Sequence, residues 1–193
     1  MLHDLGEHTL PRVWKEIETR TVALGFEMAS DKQTGALLQV LAASKPQGRL
    51  LELGTGTGLA TACLLAGMDD ASRLVSVDID ARSQMIAREL LGADTRVSFE
   101  LIDGRAFILA QPHQSFDLVF ADAWPGKYDA VDEALGLVRR GGIFVCDDML
   151  PQANWPANHD KRANSLVGYL EGLAAWVTVT LRWGSGLVVA VRR

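Results

Sequence analysis

The chain has 193 residues, 48% of them hydrophobic, and a formal net charge of −5 from 19 basic and 24 acidic side chains. That length and composition point to one domain, 1–193, with a sizeable core, and the acidic balance argues against nucleic acid, whose phosphates usually meet a basic face. No apolar run approaches the ~18 residues of a membrane span, and the N-terminal His3, Asp4, Glu7 and His8 do not form a signal-peptide pattern, so a soluble, cytoplasmic protein without a membrane partner is expected.

Residues 11–25 place Val13, Ile17 and Leu24, with Trp14 beside them, at helical spacing. Residues 33–43, QTGALLQVLAA, predict a second helix that stops before Pro46. These helices make an N-terminal segment, 1–45, ahead of a core at 46–193. In the core, RLLELG is a short apolar strand that ends in glycines, and LATACLLAGM is the helix after it. RLVSVDID is a strand followed by the helix ARSQMIARELLGA, and VSFELID a strand followed by GRAFILAQ. FDLVFAD is a strand, KYDAVDEALGLV a helix and GGIFVCDD a further strand. DDMLPQANWPANHDK reads as a long polar loop, of the kind that closes over substrates. AAWVTVTLRW and LVVAVRR, joined through GSG, read as a hairpin. Cys63 and Cys146 sit in apolar contexts without CxxC spacing and read as buried structural thiols.

Short apolar strands alternating with helices predict an α/β, Rossmann-like fold. Its sheet is mostly parallel, with helices on both faces and an antiparallel C-terminal hairpin. Ligands of such sheets lie beyond the carboxyl ends of the strands. Each core strand carries an acid at or near that end: Glu52, Asp78, Asp103, Asp122, and Asp147 with Asp148.

Gly54, Gly56 and Gly58 stand between a strand and a helix, where glycine lets a ligand approach the backbone. The spacing is GxGxG rather than the GxGxxG of a dinucleotide turn, and no GK[ST] follows. Glu52, just before the loop, suits a cationic or hydroxylated ligand better than a pyrophosphate. Asp78 ends the next strand and can accept both hydroxyls of a ribose. Asp103 can accept from an adenine amino group. Either acid also reads as a helix N-cap.

With these motifs the chain resembles class I S-adenosylmethionine-dependent methyltransferases, and more narrowly the catechol and caffeoyl-CoA type O-methyltransferases, over roughly residues 26–193. The resemblance implies a seven-stranded sheet and S-adenosylmethionine as cofactor. ELGTGTG would surround its methionine part, Asp78 its ribose and Asp103 its adenine. EMASDKQTG resembles a segment that brings Met28 and Ser30 to the cofactor. FADAWPGKY and CDDM carry the narrower likeness, which implies that Asp122, Asp147 and Asp148 hold a divalent cation such as Mg²⁺.

Two positions depart from that family. An Asp replaces its Asn in the strand-five pair, and Pro125 stands where its catalytic Lys is usual. Lys127 lies two places further on, past a Pro-Gly turn expected to aim it away from Asp122. Without a metal, Asp122 would face the cofactor or acceptor directly, and His159 or Lys127 would be the candidate base. Trp124 reads equally as a wall for a flat acceptor or a cap on the core.

The leading expectation is methylation of an oxygen on a small-molecule acceptor. A non-catalytic S-adenosylmethionine-binding protein and an NAD-dependent oxidoreductase are the alternatives. Related enzymes often associate, so a homodimer is also considered.

Overall fold

The protein was analysed as a computed structural model that describes residues 10–193. The segment from His3 to His8 lies outside the described residues. In chain order the elements are α1 (Trp14–Leu24), α2 (Lys32–Ala43), β1 (Arg49–Leu53), α3 (Leu59–Gly67), β2 (Arg73–Asp78), α4 (Ala81–Leu91) and β3 (Val97–Leu101). They continue with α5 (Gly104–Ala110), β4 (Phe116–Ala121), α6 (Val131–Leu137), β5 (Val138–Cys146), α7 (His159–Glu171), β6 (Trp176–Leu181) and β7 (Leu187–Arg192).

The strands form one seven-stranded sheet in the order β3-β2-β1-β4-β5-β7-β6. The first five are parallel, and β7 runs antiparallel to both β5 and β6. This is the Rossmann-like arrangement expected. Successive side chains of a strand point to opposite faces, so Val119 and Phe120 of β4 enter two different cores. Phe120 packs with Trp14, Ile17, Leu38 and Leu64 beneath α1–α3. Val119 packs with Phe116, Phe144 and Leu170 on the other face. Each such side chain stabilises the fold by roughly 1.5–3 kcal/mol when fully buried. The edge strands β3 and β6 are half exposed and alternate instead. Cys63 and Cys146 are buried, as expected. No described helix is long and apolar enough to cross a membrane.

Three element expectations need correction. The helix expected over 127–138 starts only at Val131, because the backbone N–H groups of Tyr128 and Asp129 both turn back to the Trp124 carbonyl. β5 begins at Val138 rather than Gly141, with a register shift against β4. The polar loop read through Lys161 ends earlier, at a helix that the sequence reading missed. In α7, His159, Ala163, Leu166 and Leu170 are the buried positions, a 4-3-4 spacing that makes one helical stripe.

The strand order reverses at β1, which has β2 on one side and β4 on the other. The carboxyl ends of β1, β2, β4 and β5 therefore open onto one crevice, where such folds bind ligands.

Candidate active site

The strand tips are joined before any side chain acts. Gly54 N–H donates to the Val77 carbonyl at 2.8 Å and Asp122 N–H to the Leu53 carbonyl at 2.8 Å. Gly54 has φ 102°, and a Cβ there would lie 2.6 Å from the Asp122 carbonyl oxygen. Only glycine fits that backbone and that approach. Asp78 accepts from Gly56 N–H and Asp80 N–H, each at 2.8 Å, so it shapes the loop as well as facing the crevice. Asp103 caps α5 through Ala106 N–H at 2.8 Å. Its capping role and its place on the crevice wall coexist. Met28, 70% exposed, and Ser30 face the crevice from the segment before α2. Together these residues line a cavity of about 910 Å³.

Two residues assigned to the cofactor do not reach this cavity. Glu52 points into the sheet and is fully buried. One of its oxygens accepts from the Thr61 hydroxyl at 2.6 Å and from Ser76, while Oε1 has no partner. Burial pushes its carboxyl up to about 8, against the pull of the Ser76 and Thr61 hydrogen bonds. Ser76 in turn meets Thr55 at 2.7 Å, and Gln84 donates to Thr55 at 3.1 Å, so Glu52 braces the glycine loop from below. Gly58 serves packing: a Cβ there would sit 2.7 Å from that of Ala87, so it admits α4 against α3.

Asp122, Asp147 and Asp148 do gather at the tips of β4 and β5, but around a lysine. Lys127 Nζ lies 3.6 Å from Asp122 Oδ1, 3.3 Å from Asp148 Oδ2 and 3.1 Å from the Asp147 carbonyl. The expectation that the Pro-Gly turn aims Lys127 away is therefore wrong. The turn folds residues 127–129 back on Trp124, and Gly126 packs against Leu53, so the lysine stem runs inward. Burial alone would lower the Lys127 pKa, but the Asp122 and Asp148 carboxylates outweigh it and hold the ammonium above its ordinary value. Burial, then Asp147, raises Asp122 well above the usual carboxylate range, with Lys127 opposing them. Burial and Asp148 push Asp147 up to about 6.

These residues do not fit a divalent ion as arranged. Among the described residues no three acidic, His or Cys side chains converge as a metal site. Asp147 Oδ1 is taken by the Ser185 hydroxyl and by Asp148 N–H at 2.7 Å. Asp122 Oδ2 accepts from Ser30 at 3.1 Å.

Aromatic rings also line the cavity. Trp124 lies 5.0 Å from Tyr128 and 5.8 Å from His159 between ring centroids, and Trp155 lies 4.5 Å from His159. Trp124 is 47% exposed and borders the cavity, which removes the core-cap reading. Arg162 stacks over its outer face at 5.2 Å. His159 Nε2 is 3.1 Å from the Tyr128 hydroxyl, and Nδ1 is buried without a partner. Burial, and then Lys127, hold the His159 pKa below its ordinary value.

Tyr128, Arg162, Asp31 and Ser185 were not foreseen. Asp31 caps α2 through Gln33 and Thr34 N–H and also accepts from Ser185 N–H at 3.0 Å. Ser185 thereby ties the hairpin turn to α2 and to Asp147. Asp31, an N-cap residue type, stands two positions before the helix predicted at 33–43. The contact with Ser185, 154 positions away, carries no local signal.

A sequence model of the O-methyltransferase family matches residues 7–178. A protein of Mycobacterium ulcerans named as an O-methyltransferase is 33% identical over 151 residues, covering 74% of this chain and 66% of its own length. The chain thus spans about two thirds of that relative. Among solved structures, the O-methyltransferase TomG from Streptomyces achromogenes, in complex with S-adenosylmethionine, aligns with TM-score 0.79 and 21% identity over 94% of this chain and 90% of that one. The O-methyltransferase from Bacillus cereus, in complex with S-adenosylhomocysteine, aligns with TM-score 0.79 and 19% identity over 98% and 92%. At these identities the two structures establish likeness of fold.

Proposed function

This chain belongs to the O-methyltransferase family, and on that premise we propose that it transfers a methyl group from S-adenosylmethionine to an oxygen of a small-molecule acceptor. The observation that carries the reading is one continuous cavity lined both by the glycine loop, Asp78 and Asp103 and by the aromatic side chains of Trp124, Tyr128, Trp155 and His159.

The residues fit the cofactor by chemistry. The Gly54–Gly56 backbone, left bare of side chains, admits a methionine moiety, with Met28 and Ser30 opposite. Asp78 keeps unused lone pairs for ribose hydroxyls, and Asp103 can accept from an amino group. Bound S-adenosylmethionine supplies an electrophilic methyl group. The chain must orient the acceptor oxygen and take its proton. Trp124 and Trp155 suit a flat acceptor, held between aromatic surfaces.

His159 is the base in this proposal. It is neutral near pH 7, because its pKa is held down, and a neutral imidazole accepts a proton. Tyr128 fixes the ring through Nε2. Lys127 is a poor base, since its ammonium is held protonated by two carboxylates. Asp122 frames the cavity wall with Ser30 and Lys127.

The test is turnover with a panel of phenols and carboxylates, read as S-adenosylhomocysteine formed together with methylated acceptor. Cofactor binding without product from any of them favours a non-catalytic binding protein. Binding of NAD in preference to S-adenosylhomocysteine would place the chain among oxidoreductases.

A further inference from the structure

The carboxylates at the tips of β4 and β5 already surround a cation, and it belongs to the chain. An ammonium has three N–H donors and no acceptor. Lys127 Nζ meets three oxygens from three residues: the Asp147 carbonyl at 3.1 Å, Asp148 Oδ2 at 3.3 Å and Asp122 Oδ1 at 3.6 Å. The first two are hydrogen bonds and the third is an ion-pair contact. The residue is only 5% exposed, so this is its settled place rather than one pose of a surface lysine.

Two further oxygens of the cluster are engaged. Asp122 Oδ2 takes the Ser30 hydroxyl, and Asp147 Oδ1 takes Ser185 and Asp148 N–H. Mg²⁺ demands near-octahedral oxygens at about 2.0–2.1 Å. To draw Asp122 and Asp148 in to that distance it would have to expel Lys127 from between them. An ion and an ammonium together, within ~4 Å in a low-dielectric pocket, would repel strongly. The Pro125-Gly126 turn is what delivers the amine: it puts Lys127 two places beyond the family's lysine position and back inside the cluster.

We propose that Lys127 is the resident cation of this site: its ammonium balances Asp122 and Asp148 in the place the family gives to a divalent metal, and the chain binds ligands and turns over without one. Lys127 is thus a positioning residue, which organises the floor under the acceptor. Only the turnover arm of the test rests on the methyltransferase reading; the binding arms do not.

The experiment is a Mn²⁺ titration of the full chain, followed by calorimetry and by the paramagnetic resonance signal of the free ion. The wild type should take up no stoichiometric Mn²⁺. Lys127→Ala and Lys127→Met leave the carboxylates without a counter-charge and should gain about tenfold or more in Mn²⁺ affinity. Adding Asp122→Asn to either should abolish the gain. Lys127→Arg, which keeps the charge, should bind no Mn²⁺. Thermal melting with S-adenosylhomocysteine checks that each variant is folded. Stoichiometric binding by the wild type, lost in Asp122→Asn, would overturn the proposal even if no Lys127 variant folds. So would a folded Lys127→Ala that gains no affinity. Turnover, where present, should be unchanged in excess EDTA; loss restored by Mg²⁺ would also overturn it.

Discussion

Lys127 Nζ lies 3.6 Å from Asp122 Oδ1, across a Pro-Gly turn that folds the chain back on itself. Both side chains are almost fully buried. Breaking a buried pair by removing one partner usually costs about 3–5 kcal/mol, because it strands the other charge. Lys127→Ala should therefore lower stability in urea by about that much. Asp122→Asn in the same background should recover part of the loss, since no stranded carboxylate remains at that position. Additive effects of the two changes would mean that the pair is not coupled.

His159 should set the acid limb of the rate profile. Its pKa is held below the ordinary value by burial. The neutral, proton-accepting form therefore persists as pH falls through about 6.5 and is lost only below that. kcat/KM should be flat from about pH 8 to 6.5 and fall beneath it. His159→Gln should lower the rate on the order of a hundredfold, the lower range for a general base, and remove the limb. Tyr128→Phe should cost less, as it frees the ring without deleting it. An unchanged profile in His159→Gln would exclude this histidine as the base.

Glu52 gives the fold a pH dependence of its own. Its carboxyl stands at about 8 in the folded chain, against 4.5 ordinarily. Between those values the unfolded chain releases the proton and the folded chain keeps it. Stability thus falls as pH rises, by about 1.4 kcal/mol per unit at most, and levels off above the folded value. Glu52→Gln cannot titrate and should lose much less stability between about pH 5 and 8 by urea denaturation. Equal pH dependence in the two proteins would show that Glu52 ionises normally.

The parts of the site that were legible in the sequence are those set by local backbone chemistry. Gly54 and Gly56 stand where a strand turns into a helix, and Asp78, Asp103 and Asp122 stand where apolar runs stop. Strand period and turn residues mark such places directly. What failed was decided by tertiary packing. Glu52 and Gly58 belong to the same motif, yet one points into the sheet and the other against Ala87. The inward course of Lys127 goes with Gly126 seating against Leu53, a contact between a turn and a strand far apart in sequence. α7 escaped because the polar run before it masks the His159–Ala163–Leu166–Leu170 stripe.

Cofactor binding at the glycine loop and Asp78 is measured most directly by calorimetric titration with S-adenosylhomocysteine. The wild type should bind one equivalent per chain and should show no comparable affinity for NAD. Asp78→Ala removes charge-assisted hydrogen bonds worth about 1.5–3 kcal/mol each. It also frees the Gly56 and Asp80 N–H groups that Asp78 now holds. Affinity should drop tenfold or more, about 1.4 kcal/mol at the least, with the circular dichroism spectrum unchanged. No binding of S-adenosylhomocysteine by the wild type, or equal affinity in a folded Asp78→Ala, would contradict the account.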